Sequence, residues 1–166
     1  MSLTKPEFTK IMEKWLFDYL KENYSDDYNI EALVPSSNLS KLSNDSVKEI
    51  DGYSSFEFKP DVLGILSSKT DGEIKLVLLN RSTSAISLKE IGELQCYCRL
   101  AKPLLAFIAS PKGLPEEVNL LLINEDMQKS ILTYEKDSSI VAFRWDGNSK
   151  AIDKLSIFPI EKRDEF

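Results

Sequence analysis

Residues 56–109 carry the most informative pattern of this sequence, in four segments: FEFKPDVLGIL (56–66), EIKLVLLN (73–80), SLKEIGELQCYCRLAK (87–102) and PLLAFIA (103–109). The first, second and fourth are apolar runs of strand length, and Asp71-Gly72 between the first two is a hairpin signal. The third opens with a capping box, Ser87 with Glu90, and predicts a helix to about Lys102. A strand–helix–strand order implies a parallel strand pair with a right-handed crossover.

The residues before this core predict one helix and one strand. Thr4 and Glu7 form a capping box that opens a helix over residues 4–23. Its apolar residues recur on one stripe: Phe8, Ile11, Met12, Trp15, Leu16, Tyr19 and Leu20. Residues 28–34 alternate as a first strand, and the Ser- and Asn-rich residues 35–46 predict a loop.

The residues after 109 predict a smaller addition. A short helix is expected at 115–123, followed by a hairpin of strands at 130–134 and 140–145. A last strand is expected at 155–160 and a frayed tail at 161–165. We therefore predict a single α/β domain over residues 1–166. It has an αβββαβ core with a mixed central sheet flanked by helices, and a small C-terminal αββ addition.

Composition and charge narrow the class of protein. The chain has 166 residues, of which 42% are apolar and 29% charged, as in folded globular domains. No apolar run approaches the roughly 20 residues that span a bilayer, and MSLTKPE at the start lacks the layout of a signal peptide. These features predict a cytoplasmic protein with no membrane partner. The net charge of −6 disfavours a general duplex-coating protein, although a local basic groove remains compatible with it.

The supply of reactive side chains excludes several chemistries. Histidine is absent, so Ser-His-Asp and Cys-His catalysis and His-ligated metals are excluded within this chain. Cys96 and Cys98 lie two apart on a predicted helix, so their side chains diverge and form no disulfide. Both are interpreted as small, half-buried apolar residues. Any metal must then be a hard cation held by oxygen ligands.

Pro60-Asp61 at a strand mouth, a turn, a buried apolar strand and a capped helix ending in Tyr97 together resemble the PD-(D/E)xK, or restriction-endonuclease-like, nuclease superfamily. The resemblance is densest over residues 56–109, about a third of the chain. It implies hydrolysis of phosphodiesters with Mg²⁺ or Mn²⁺. In that chemistry two carboxylates hold the cation, and a lysine two residues after the second one helps to hold the attacking water.

Asp61 matches the first carboxylate of the family motif. Counting back from Tyr97 and Ser87 puts the acid-x-Lys element on Asn80-Arg81-Ser82, and the helix glutamine position falls on Glu93. Asn80 offers a cation an oxygen without charge, and Ser82 supplies no positive charge. The motif is therefore degenerate at three positions, while Asp61, Asn80, Ser82 and Glu93 remain the expected catalytic positions.

Other residues are candidates to replace what the motif lacks. Lys89 or Lys75 is expected to stand in for the lysine, because family members exist in which it has migrated. Arg81 carries the charge, but on a regular strand it points to the opposite face unless a bulge turns it round. Glu73-Ile74-Lys75 also spells acid-x-Lys, but at the wrong end of its strand.

A further acid is expected on the first strand or the first helix, and Glu31 is its first candidate, followed by Glu13. For either, a plain surface carboxylate is the simpler explanation. With Asp61 and Asn80, Glu31 completes the predicted metal ligands.

Three functions follow from these residues. The first is a nuclease-fold module that binds nucleic acid or a protein partner without efficient catalysis and needs no cofactor. The second is an active Mg²⁺- or Mn²⁺-dependent nuclease with a rearranged site. The third is a plain α/β protein-interaction module. A homodimer is compatible with each of them.

Overall fold

The computed structural model describes residues 2–166, which form a seven-stranded mixed sheet with helices on both faces. The helices of this part of the chain are α1 (Lys5–Tyr24), α2 (Asp45–Lys48), α3 (Leu88–Ala101), α4 (Glu116–Ile123) and α5 (Glu125–Leu132). The strands are β1 (Tyr28–Leu33), β2 (Val62–Ser68), β3 (Ile74–Arg81), β4 (Leu105–Ser110), β5 (Thr133–Glu135), β6 (Ser138–Asp146) and β7 (Ala151–Phe158). Short 3-10 helices cover Leu39–Lys41, Tyr53–Ser55 and Ile160–Glu165.

The predicted mixed α/β architecture is confirmed. The strands lie in the order β1-β2-β3-β4-β6-β5, and β7 pairs with β6 beside β5. β1, β2 and β3 are antiparallel neighbours, whereas β4 is parallel to both β3 and β6. The parallel pair β3–β4 is joined through α3, as the strand–helix–strand order predicts. No helix within residues 2–166 is long and apolar enough to cross a membrane.

The sheet separates two apolar layers. α1 buries Phe8, Met12, Leu16 and Leu20 against one face, and α3 buries Ile91, Leu94 and Cys98 against the other. Side chains of β2 and β3 alternate between these layers, as the period of two of a strand requires. Val62 and Leu79 face α1, whereas Leu63 and Leu78 face the layer of α3.

α1 packs unusually close to β2 at Gly64. A Cβ atom at this position would lie 2.9 Å from Leu20 Cδ1 and 3.0 Å from Val77 Cβ, closer than side chains tolerate. The glycine thus allows the helix to lie directly on the sheet. This approach brings the first turns of α1 to the end of β3, where the candidate site lies.

Some predicted boundaries were wrong. Residues 56–61 lie outside the sheet, and β2 begins only at Val62. The carbonyl oxygens of Phe56 and Phe58 accept hydrogen bonds from the backbone N–H groups of Ser40 and Leu39, which belong to the predicted loop. That loop and the residues after it contain α2 and two short 3-10 helices.

The C-terminal part is richer than the predicted αββ addition. The residues up to Leu132 form a second helix, α5, so only Thr133 and Tyr134 of the strand expected at 130–134 belong to β5. The expected frayed tail is instead a 3-10 helix, and Phe166 after it stacks on Tyr19 of α1 with ring centroids 5.3 Å apart. Both cysteines are free, but only Cys98 is buried, and Cys96 is exposed.

Candidate functional site

A charged pocket of about 210 Å³ lies where β2 begins and β3 ends. Its lining combines two cations, three carboxylates, an amide, a phenol and one aliphatic side chain: Lys59, Arg81, Asp61, Glu90, Glu93, Asn80, Tyr97 and Ile108. The antiparallel register pairs Val62 with Leu79, so Asp61 and Asn80 follow as the next neighbours. By strand alternation both side chains face the α3 layer, and α3 closes the pocket from that side.

Asp61 is held by its neighbour strand. Its backbone N–H donates to Asn80 Oδ1 at 3.3 Å, and its Oδ2 accepts from the backbone N–H of Arg81 at 2.8 Å. Its other oxygen, Oδ1, lies 3.7 Å from Arg81 Nη2. The Asp61 and Arg81 side chains are 29% and 18% exposed, so water screens this ion pair only in part.

Arg81 is anchored on the opposite side by α1. Its Nε donates to Thr9 Oγ1 at 2.8 Å, and the Thr9 hydroxyl donates to the Lys5 carbonyl at 2.8 Å. The side chain thus does leave towards the α1 face, as its position on the strand predicts. The expectation that only a bulge would bring it to Asp61 was wrong, because the register with β4 runs regularly to the Arg81–Ala109 pair. The length of the side chain alone carries its Nη2 round the strand end.

α3 supplies the remaining acidic groups. Glu93 Oε1 accepts a hydrogen bond of 2.5 Å from the Tyr97 hydroxyl, and the Tyr97 ring stacks on Phe58 at 4.5 Å. Burial, reinforced by this bond to Glu93, raises the pKa of Tyr97 to about 12, so its hydroxyl stays protonated. Glu90 completes the capping box by accepting from the N–H and the hydroxyl of Ser87.

The structure brings three of the predicted site residues together: Asp61, Asn80 and Glu93 all line the pocket. Ser82 lies outside the lining; it is buried, and its hydroxyl accepts from the backbone N–H of Ser84 at 3.2 Å. Lys89 is an exposed residue of the first turn of α3 and also lies outside the lining.

The candidates for the additional acid and for the migrated lysine lie elsewhere. Glu31 is opposite Ile65, four residues along β2 from Asp61, which corresponds to about 13 Å, and it accepts from Asn44 instead. Glu13 on α1 is likewise outside the lining. Lys75 pairs with Leu66 near the far end of the hairpin.

Sequence reasoning missed Lys59 and the exposure of Glu90 to this pocket. Lys59 precedes Asp61 by two residues, a spacing that puts both side chains on one side of the strand predicted there, and both line the pocket. That spacing was a usable signal. Within residues 2–166, no group of three or more Asp, Glu, His or Cys side chains is arranged to hold a metal ion.

Comparison with known proteins gives a partial structural likeness. No protein-family model and no curated protein matches the chain. Among solved structures, the MspJI restriction endonuclease in complex with a 27-mer oligonucleotide is similar, with a TM-score of 0.44 and 11% sequence identity. The match covers 80% of this chain and 24% of that chain, and nothing about activity follows from so partial a likeness.

Proposed function

We propose that this chain is a nuclease-like domain that binds a partner and does not hydrolyse phosphodiesters. The contact between Asp61 and Arg81 carries this proposal. Asp61 Oδ2 accepts a hydrogen bond from the backbone N–H of Arg81 at 2.8 Å, and its Oδ1 lies 3.7 Å from the guanidinium Nη2, where a catalytic metal would bind. The position of the second acid in the family motif is occupied by the neutral Asn80, whose side-chain oxygen accepts a hydrogen bond from the Asp61 N–H.

This donor set does not fit Mg²⁺ or Mn²⁺. Two unit charges 4 Å apart interact by about 4 kcal/mol at an effective dielectric constant of 20, and a divalent ion beside Arg81 doubles that repulsion. Solvent weakens this repulsion at a partly exposed site, but the repulsion between Arg81 and a divalent ion still opposes metal binding. The guanidinium in effect already supplies the positive charge that Asp61 requires.

The charge of the pocket favours a protein partner over nucleic acid. Asp61, Glu90 and Glu93 outnumber Lys59 and Arg81 in the lining, and the whole chain carries −6. Phosphate groups would meet net repulsion at such a surface, whereas nucleic-acid interfaces are strongly positive. The binding role therefore belongs to protein recognition.

A cleavage assay tests the proposal. The wild-type chain is incubated with single- and double-stranded DNA and RNA in Mg²⁺ and in Mn²⁺, beside Asp61→Asn and the control Asp137→Asn, an exposed aspartate outside the pocket. We expect all three proteins to be inactive on every substrate. Cleavage that Asp61→Asn abolishes and Asp137→Asn retains would overturn the proposal.

One observation supports a second candidate, an active nuclease with a rearranged site. Lys59 and Glu93 line the same pocket as Asp61 and together supply a cation and a second carboxylate. If the wild type cleaves, Lys59→Ala and Glu93→Gln should each lose most of the activity, and Lys89→Ala should retain it.

A further inference from the structure

A second and larger depression, which we call the aromatic groove, lies between α1 and the β6–β7 hairpin. Its volume is about 1140 Å³ and its lining is mostly apolar. The floor consists of aromatic and aliphatic side chains: Ile11, Trp15, Tyr19, Trp145, Ile152 and Phe166. The volume exceeds the usual 300–1,000 Å³ of small-molecule sites, so the groove suits a segment of polypeptide.

Three of the four aromatic rings of the floor, those of Trp15, Tyr19 and Phe166, pack on one another. Tyr19 stacks on Trp15 at 5.4 Å and on Phe166 at 5.3 Å, and Trp15 also meets the edge of Phe107 at 5.2 Å. Binding of single-stranded nucleic acid uses free ring faces on which bases stack. Mutual stacking leaves few free ring faces here, and Ile11 and Ile152 add aliphatic surface, so the groove suits bulky apolar side chains.

The rim of the groove is positive in an acidic protein. Within the described chain the side chains of Lys10, Lys150 and Lys154 form no ion pair or hydrogen bond. Two of the acidic groups at the rim are already paired: Asp18 with Lys14, and Glu165 with Lys162. Three free lysines therefore face a single unpaired acid, Glu22.

The length of the groove is set by α1. Its groove-lining residues recur at steps of three and four from Lys10 to Glu22, which corresponds to about 18 Å along the helix axis. A second helix of about 12 residues has the same length. Helix-in-groove recognition places apolar anchors at such spacing into an apolar groove.

We propose that the aromatic groove binds an acidic, amphipathic segment of another protein, with bulky apolar side chains on one face and carboxylates opposite the rim lysines. This inference deepens the proposed function and rests on its binding role alone. Cleavage by the Asp61 pocket would refute the proposed lack of catalysis but would not affect peptide binding in the groove. The failure of one proposal can therefore be distinguished from the failure of the other.

The experiment starts from a phage-displayed library of random peptides about 16 residues long, selected on the immobilised full chain. Synthetic copies of the enriched peptides are then titrated in solution. Both tryptophans of the chain, Trp15 and Trp145, line the groove, so intrinsic fluorescence reports binding there. An oligothymidylate and the protein itself at rising concentration are titrated in parallel.

Matched charge reversals locate the binding. Lys10→Glu/Lys154→Glu reverses the rim, and Lys112→Glu/Lys136→Glu makes the same charge change at exposed lysines outside the groove. All four sites are exposed, so both variants should fold, which circular dichroism checks. We expect enriched peptides to be acidic, to change tryptophan fluorescence, and to lose about 10-fold or more in affinity with the rim variant only.

Several outcomes would overturn the inference. These are no enrichment, enrichment of neutral or basic peptides, or equal binding of acidic peptides to both double variants. A fluorescence response to oligothymidylate that exceeds the peptide response would assign the groove to nucleic acid. A response to protein concentration alone would assign it to a second copy of the chain.

Discussion

Gly64→Ala tests the close packing of α1 on the sheet. The new methyl carbon would lie 2.9 Å from Leu20 Cδ1 and 3.0 Å from Val77 Cβ. Leu20 is completely buried, and the Val77 Cβ moves only with the backbone of β3, so neither neighbour yields easily. Overpacking costs about 1–3 kcal/mol of folding free energy. About 0.4–1 kcal/mol of this loss is offset because alanine lowers the conformational entropy of the unfolded chain relative to glycine.

The central values leave a net loss of about 1.3 kcal/mol, which lowers Tm by about 3–5 °C for a chain of this length. Gly92→Ala is the matched control, because a Cβ there meets no atom of residues 2–166 within 4 Å beyond its own helix. Gly92 lies inside α3, so its replacement by alanine, a better helix former, should raise the free energy of unfolding by about 1 kcal/mol. Thermal and urea unfolding, followed by circular dichroism, measure both changes. An unchanged or raised Tm for Gly64→Ala would refute the packing argument.

Two further predictions concern the Asp61 pocket. Thr9→Val removes the acceptor of Arg81 Nε and should lower the free energy of unfolding in urea by about 1 kcal/mol, whereas Thr9→Ser should retain the wild-type value. Spectrophotometric titration of the wild type and of Tyr97→Phe gives two absorbance curves. Their difference should show one phenol with a pKa near 12, above the ordinary value of 10. Because folding raises this pKa, the stabilisation of the folded state by protonated Tyr97 should be complete below pH 10 and decline as pH rises through 12. A difference curve centred near pH 10 would contradict the raised pKa.

Hydrophobic periodicity predicted the main elements because most of the core repeats at helical or strand spacing. It failed at Phe56 and Phe58, which are buried although their backbone lies outside the sheet. Alternation reports that every second side chain is buried, and an extended segment on a loop satisfies it equally. It also failed at α5, where residues 130–134 were predicted as a strand although those up to Leu132 belong to a helix capped by Asn124.

Counting along the family motif predicted part of the pocket, because Asp61, Asn80 and Glu93 all line it. Strand parity predicted that the Arg81 side chain leaves towards the opposite face, where it meets Thr9. Parity describes where a Cβ points, and the long Arg81 side chain reaches beyond that rule to Asp61. Its anchor, Thr9, is far away in sequence, so no local pattern could have shown the contact.

The aromatic groove joins the two ends of the described sequence: Trp15 and Phe166 meet with ring centroids 6.4 Å apart. Contacts between such distant residues require closure of a very long loop and are costly early in folding. During synthesis α1 emerges before β6 and β7, and its outer aromatic residues stay uncovered until these strands and Phe166 have been made. A nascent or truncated chain would therefore expose the apolar face of α1 without the finished groove, and the peptide binding that we propose would require residues up to Phe166 to have been made.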